Sequence, residues 1–98
     1  MSYLLSVREA AEFDIADAYE HYESCRDGLG HDFILCLEEG FSKIERHPLH
    51  YKKIYKNLRR VAISRFPYRI LYFTLNQNVI VTAVFHARKD SKAWHTRT

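Results

Sequence analysis

Apolar and polar positions follow two different rhythms along this chain, and the change falls at Pro48. Before it the period is near that of a helix. Ala11, Ile15, Ala18, Tyr19 and Tyr22 share one face, while Glu9, Glu12, Glu20 and Glu23 lie mainly on the others and read as a solvated face. This predicts an amphipathic helix over 8–26. Ser6-Val7-Arg8-Glu9 has the S-x-x-E form of a capping box, which would satisfy exposed amides at its start. Gly28 suits the left-handed position that commonly ends a helix, and Gly28-Leu29-Gly30 makes a tight connection. Phe33, Leu37, Phe41 and Ile44 then predict a second helix from His31 or Asp32, with Glu38, Glu39 and Lys43 toward solvent. Asp32 in its first turn and Arg46 and His47 in its last complement the helix dipole, and Pro48 stops it. So short a connection implies an antiparallel helix hairpin. Gly40 within the second helix costs about 1 kcal/mol relative to alanine, which suggests close packing against the first.

After Pro48 the period falls to two. Leu58–Arg65 sets Arg59, Val61, Ile63 and Arg65 on one face and Arg60, Ala62 and Ser64 on the other. Phe66-Pro67 interrupts pairing, because proline has no amide to give. Tyr68–Thr74 is the next strand, followed by a turn at Asn76-Gln77-Asn78. Val79–His86 is apolar almost throughout, as befits a central strand covered on both faces. Tyr3–Leu5 forms a first short strand. The tail from Ala87 is basic and polar except for Trp94, which is expected to pack back. The predicted fold class is α+β, in the order β-α-α-β-β-β, with the helix hairpin packed on one face of a small, mainly antiparallel sheet.

Composition narrows the class further. Ninety-eight residues at 47% hydrophobic suit one domain spanning 1–98. No apolar run approaches the roughly 18 residues that would suggest a membrane span, and the first seven residues lack the basic region of a signal peptide. Cys25 and Cys36 form no CxxC and have no paired histidines, so a cytoplasmic protein with reduced thiols, no metal and no cofactor is expected.

Charge adds what the net +3 conceals. Residues 1–49 carry four Lys/Arg against eleven Asp/Glu, which gives −7; residues 50–98 carry eleven Lys/Arg against Asp90 alone, which gives +10. The helices are therefore acidic and the sheet basic. Such asymmetry points to a face for an anionic partner, either nucleic acid or an acidic protein segment.

Several stretches bear a family resemblance when taken together. They are Asp14-Ile15-Ala16-Asp17 with Tyr19 and Tyr22, Gly28-Leu29-Gly30-x-x-Phe33, and Ile44-Glu45-Arg46-His47-Pro48. The most specific is Arg59-Arg60-x4-Arg65-Phe66-Pro67-Tyr68-Arg69-Ile70-x-Tyr72, followed by Val84-Phe85-His86-Ala87-Arg88 and Trp94. Over nearly its whole length the chain resembles the RelE/ParE superfamily, the toxins of type II toxin–antitoxin modules. The resemblance implies one of two activities on a single fold: ribosome-dependent mRNA cleavage in RelE-like members, or inhibition of DNA gyrase in ParE-like members. It also implies a cognate antitoxin, whose acidic C-terminal segment would wrap the toxin.

The fold cannot choose between those activities, so the side chains must. Metal-free RNA cleavage needs a base for the 2′-hydroxyl, an acid for the leaving 5′-oxygen and cations for the phosphorane. Arg69 stands where the nuclease branch carries a phosphate-stabilising arginine, and Lys52, Lys53 and Lys56 stand where some of its members put active lysines. The terminal tyrosine common in that branch is missing, with Arg88 at about its place, and no glutamate follows Pro48. His86 or His95 would have to move the protons. A nuclease would thus rely on Arg69, His86 and Arg88, and this is the alternative reading. Direct nucleic-acid binding is disfavoured, because there is no helix-turn-helix with a basic second helix. The ParE branch fits better, with Arg59, Arg60, Arg65, Arg69, Arg88, Lys89 and Trp94 as the surface for gyrase or another anionic partner.

Overall fold

The computed structural model describes residues 3–89 and Arg97. Strand β1 (Leu4–Val7) leads into helices α1 (Glu9–Cys25) and α2 (Leu29–Arg46). Strands β2 (Lys53–Tyr55), β3 (Leu58–Ala62), β4 (Tyr68–Leu75) and β5 (Asn78–His86) follow. The sheet order is β1-β5-β4-β3-β2, antiparallel except for the parallel β1–β5 pair. The α+β class and the order of elements are as predicted, with β2 as an additional short edge strand. Its three residues carry no alternating pattern long enough to read.

Both helices pack on one sheet face. Ala11, Ala18, Phe33, Leu37 and Ile44 meet Val61, Ile63, Ile70, Tyr72, Val79, Val81 and Val84 there. A smaller cluster of Leu58, Leu71, Ala83 and Phe85, with Ile54 against it, lies on the opposite face. As its composition predicted, β5 is covered on both faces, but β4 rather than β5 is the central strand, and β1 flanks β5 only as far as Val81. β5 also contains a bulge: Leu71 pairs with Ala83 but Tyr72 pairs with Val81, so Thr82 has no partner in the register. That extra residue shifts the alternation by one, which turns Val79, Val81 and Val84 to the helices and Ala83 and Phe85 to the other face.

Local details depart from the sequence pattern in four places. Ser6 lies within β1 and caps nothing. Arg8 is the N-cap of α1, without a side-chain cap, and its amide still donates to the Val81 carbonyl at 3.0 Å. Gly28 is left-handed (φ 88°), but as the N-cap of α2 rather than the end of α1, and α2 begins at Leu29, ahead of the predicted start at His31 or Asp32. Glu23 is not a solvated carboxylate. Its oxygens accept from the Gly28 amide at 3.0 and 3.2 Å and from the Gly30 amide at 3.0 Å, so the end of one helix satisfies the open amides of the next. Gly40 packs on the sheet rather than on α1: a Cβ there would lie 2.8 Å from Ile70 Cδ1 and 3.3 Å from Ile63 Cγ2. The close approach between helices is at Gly30, where a Cβ would meet the Tyr19 carbonyl at 2.9 Å.

β3 also ends sooner than expected, at Ala62. Arg65 adopts φ 70° in the loop, and Ala87 donates back to the Pro67 carbonyl at 2.7 Å. The Asn76–Gln77 turn joins β4 to β5 with Asn76 at φ 56°, a conformation asparagine tolerates.

Candidate functional site

The sheet face opposite the helices carries the cations that register brings together. Arg60 pairs with Leu71, and Arg69 pairs with both Ala62 and Phe85, so both arginines leave the sheet on the side of the smaller apolar cluster. Lys89 follows β5, and its ammonium lies 4.8 Å from the centre of the Phe85 ring. Together these three cations, with His86 and Ala87, border a small recess over Leu71 and Phe85, which are themselves buried. Arg69 makes no ion pair among the described residues, so the acidic helices do not neutralise it. A cationic rim of this kind could steer an acidic protein segment electrostatically.

The other residues of the predicted surface are placed elsewhere. Arg59 pairs with Tyr72 on the helix side, where its Nη1 donates to the carbonyls of Tyr51 at 2.6 Å and Leu49 at 3.2 Å. It holds the α2–β2 connection. Arg65 reaches toward the start of α2, 3.7 Å from Asp32, and its guanidinium lies over Phe66. Arg88 is exposed beyond β5. Trp94 and His95 lie outside the described residues. Tyr22 is a core aromatic packed on Phe33, Phe66 and Tyr68, but Tyr19, expected beside it, is 39% exposed.

Of the groups that a nuclease would use, Arg69 and His86 border the same recess, although their side chains leave the sheet on opposite faces. His86 lies opposite Tyr68, and the two rings meet edge-on at 5.3 Å on the helix side, whereas Arg69 points the other way. The Arg88 amide donates to His86 Nδ1 at 3.0 Å, which puts the proton of the neutral ring on Nε2. Burial raises the Tyr68 phenol above its ordinary pKa, and Tyr22, Asp14 and Asp17 raise it further, so it stays protonated near neutral pH. No group of three or more His, Cys, Asp or Glu residues able to hold a metal occurs among the described residues.

Sequence reading missed the pairing of Asp14 with Arg97. The guanidinium spans both carboxylate oxygens, at 2.7 and 3.2 Å, and so ties α1 to the C-terminal end across 83 positions. Asp14 belonged to a recognised stretch of helix one, but no periodicity could link it to Arg97.

Comparison with known proteins adds two findings. A family model described as the ParE toxin of the type II toxin–antitoxin system parDE matches residues 5–91. A solved structure titled as a chromosomal ParDE toxin–antitoxin system from P. aeruginosa superimposes with a TM-score of 0.77. It shares 11% identity and covers 86% of this chain and 95% of its own, a likeness of fold. No curated protein matches the sequence.

Proposed function

Because this chain belongs to the ParE toxin family of type II toxin–antitoxin systems, we propose that it arrests growth by inhibiting DNA gyrase and is neutralised by a cognate antitoxin. The observation that carries this reading is the cluster of Arg60, Arg69 and Lys89 around a small recess on the sheet face away from the helices. It supplies charge for docking, while His86, which borders the same recess, sends its ring to the opposite face of the sheet from Arg69. Inhibition by binding needs only the former.

The antitoxin segment that fits this face is acidic and amphipathic. Carboxylates would meet Arg60, Arg69 and Lys89. Such a segment is commonly disordered when free and orders on binding. A supercoiling assay with purified gyrase tests the toxin activity. Loss of supercoiling as toxin is added, relieved by antitoxin, is the expected result. Undiminished supercoiling at molar excess of toxin, together with ribosome-dependent mRNA cleavage, would overturn it in favour of the RelE-like alternative.

A further inference from the structure

Helix α1 carries Glu9, Glu12, Asp14, Asp17, Glu20 and Glu23 but no Lys or Arg, and the cations of α2, Lys43 and Arg46, fall in its last turn. Two of these carboxylates are engaged. Asp14 turns toward β5, where it accepts from Val84 N–H and Arg97, and Glu23 accepts from the amides of Gly28 and Gly30. Glu9, Glu12 and Glu20 are exposed and make no ion pair among the described residues. An exposed helix more commonly balances such charges with cations one turn away.

Glu12 and Glu20 flank an apolar groove between the two helices. Ile15, Ala16 and Tyr19 of α1 and Ile34 of α2 line it, over a volume of about 450 Å³. Tyr19 is held in place by the close approach of α2: its Cε2 and Cδ2 lie 2.8 and 2.9 Å from where a Gly30 Cβ would be. The ring is thus a fixed wall of the groove, although the residue is 39% exposed. Phe13, one turn before Ala16, and Leu35, next to Ile34, are exposed as well. Apolar surface of this kind with a polar rim marks an interaction site, and a rigid aromatic is a favoured anchor in one.

We propose that this groove is a docking site for an amphipathic, basic helix of a partner protein. The backbone groups of α1 and α2 are bonded within the helices, so the groove offers no edge to a strand. A third helix fits instead, with apolar anchors at i, i+3, i+4 and i+7 against Ile15, Tyr19 and Ile34. Its flanks carry Lys or Arg for Glu12 and Glu20, which stand about 12 Å apart along α1 at the rise of a helix. A second copy meeting groove to groove would set these carboxylates against their own equivalents. The acidic segment suited to Arg60, Arg69 and Lys89 would do the same. The partner is therefore of opposite charge to that segment, and the site does not depend on gyrase being the target.

The test titrates the whole chain with a helical peptide bearing leucines at i, i+3, i+4 and i+7 and lysines on both flanks. One control replaces the lysines by glutamates, and another keeps the composition but scatters the leucines. Binding is followed by the NMR shifts of the Tyr19 and Ile34 amides. The lysine peptide should move both amides and bind about tenfold tighter than either control. In E12K/E20K the preference should reverse toward the glutamate peptide, and A16R, which fills the groove, should weaken every peptide. If the double reversal fails to fold, E12Q/E20Q carries the comparison and should lose the preference without reversing it. Equal binding of the lysine and glutamate peptides, or of the patterned and scattered ones, would overturn the proposal. So would shifts confined to other residues, no binding at all, or Tyr19 and Ile34 shifts that track the protein's own concentration, since a second copy would then fill the groove.

Discussion

The Tyr72 phenol, wholly buried on β4, donates to the Pro48 carbonyl at 2.6 Å. That single bond ties the residue that ends the second helix to the middle of the sheet. Arg59, directly opposite Tyr72 on β3, binds the next carbonyls of the same connection, at Leu49 and Tyr51. Together they order the passage from helix to edge strand.

Replacement of Tyr72 by phenylalanine keeps the ring and leaves the Pro48 carbonyl without its donor. The expected loss is about 1–3 kcal/mol in chemical denaturation, the cost of an unsatisfied buried acceptor. Wild-type stability within error would show that the carbonyl finds another donor.

Alkaline pH should act through the same residue. Burial pushes the Tyr72 phenol up to about 12 from an ordinary value of 10, while the nearby Arg59 lowers it in part. A group raised in the folded state stabilises fully below its unfolded pKa and loses that contribution as pH climbs to the folded one. Stability should therefore fall between about pH 10 and 12, by up to roughly 1.4 kcal/mol per pH unit for this one proton. Tyr22 and Tyr68, also raised chiefly by burial, act with the same sign. Denaturation midpoints measured across this range should show a shallower slope in Y72F than in wild type.

The two buried helical glycines should differ in their tolerance of alanine. At Gly40 the new methyl meets Ile70 Cδ1, the end of a side chain, so strain is set partly against a gain in helix propensity. At Gly30 it meets the Tyr19 backbone carbonyl, which can yield only if the helices part. G30A should cost more than G40A, and I70V, which removes Cδ1, should restore part of the loss in G40A but none in G30A. Melting temperatures of the two pairs test this coupling.

Glu23→Ala removes the only side chain that bonds the amides of Gly28 and Gly30 among the described residues. The expected cost is about 0.5–2 kcal/mol, as for loss of other helix caps. Hydrogen exchange at these two amides should rise first.

Among the arginines, function and stability should separate. Alanine at Arg60, Arg69 or Lys89 should weaken partner binding and flatten its salt dependence, with the melting temperature nearly unchanged. Arg59→Ala should lower the melting temperature instead, because it releases two carbonyl contacts. Binding curves at two salt concentrations, run beside thermal melts, distinguish the classes.

The helix hairpin and the three longer strands were legible in the sequence because their signals are local. Phe33, Leu37 and Ile44 repeat with the helix, and β5 is apolar along its length. The acidic helices and basic sheet could likewise be counted directly. Glu23 was misjudged because a carboxylate near a helix end has the same pattern whether it faces water or another helix. Gly40 was assigned to the wrong neighbour because a glycine records that something is close without recording what. The cations were visible as residue types, but their sides were not: Arg59 and Arg60 are adjacent in sequence and leave opposite faces of β3.

By itself, then, the sequence determined the order of elements, the hydrophobic faces and the charge of each half, all properties of short stretches with a fixed repeat. Only the tertiary structure decided which cations share a face, that the Thr82 bulge reverses the alternation along β5, and that Asp14 meets Arg97 across 83 positions. Those outcomes depend on strand register and on where the chain returns, and no local period encodes either.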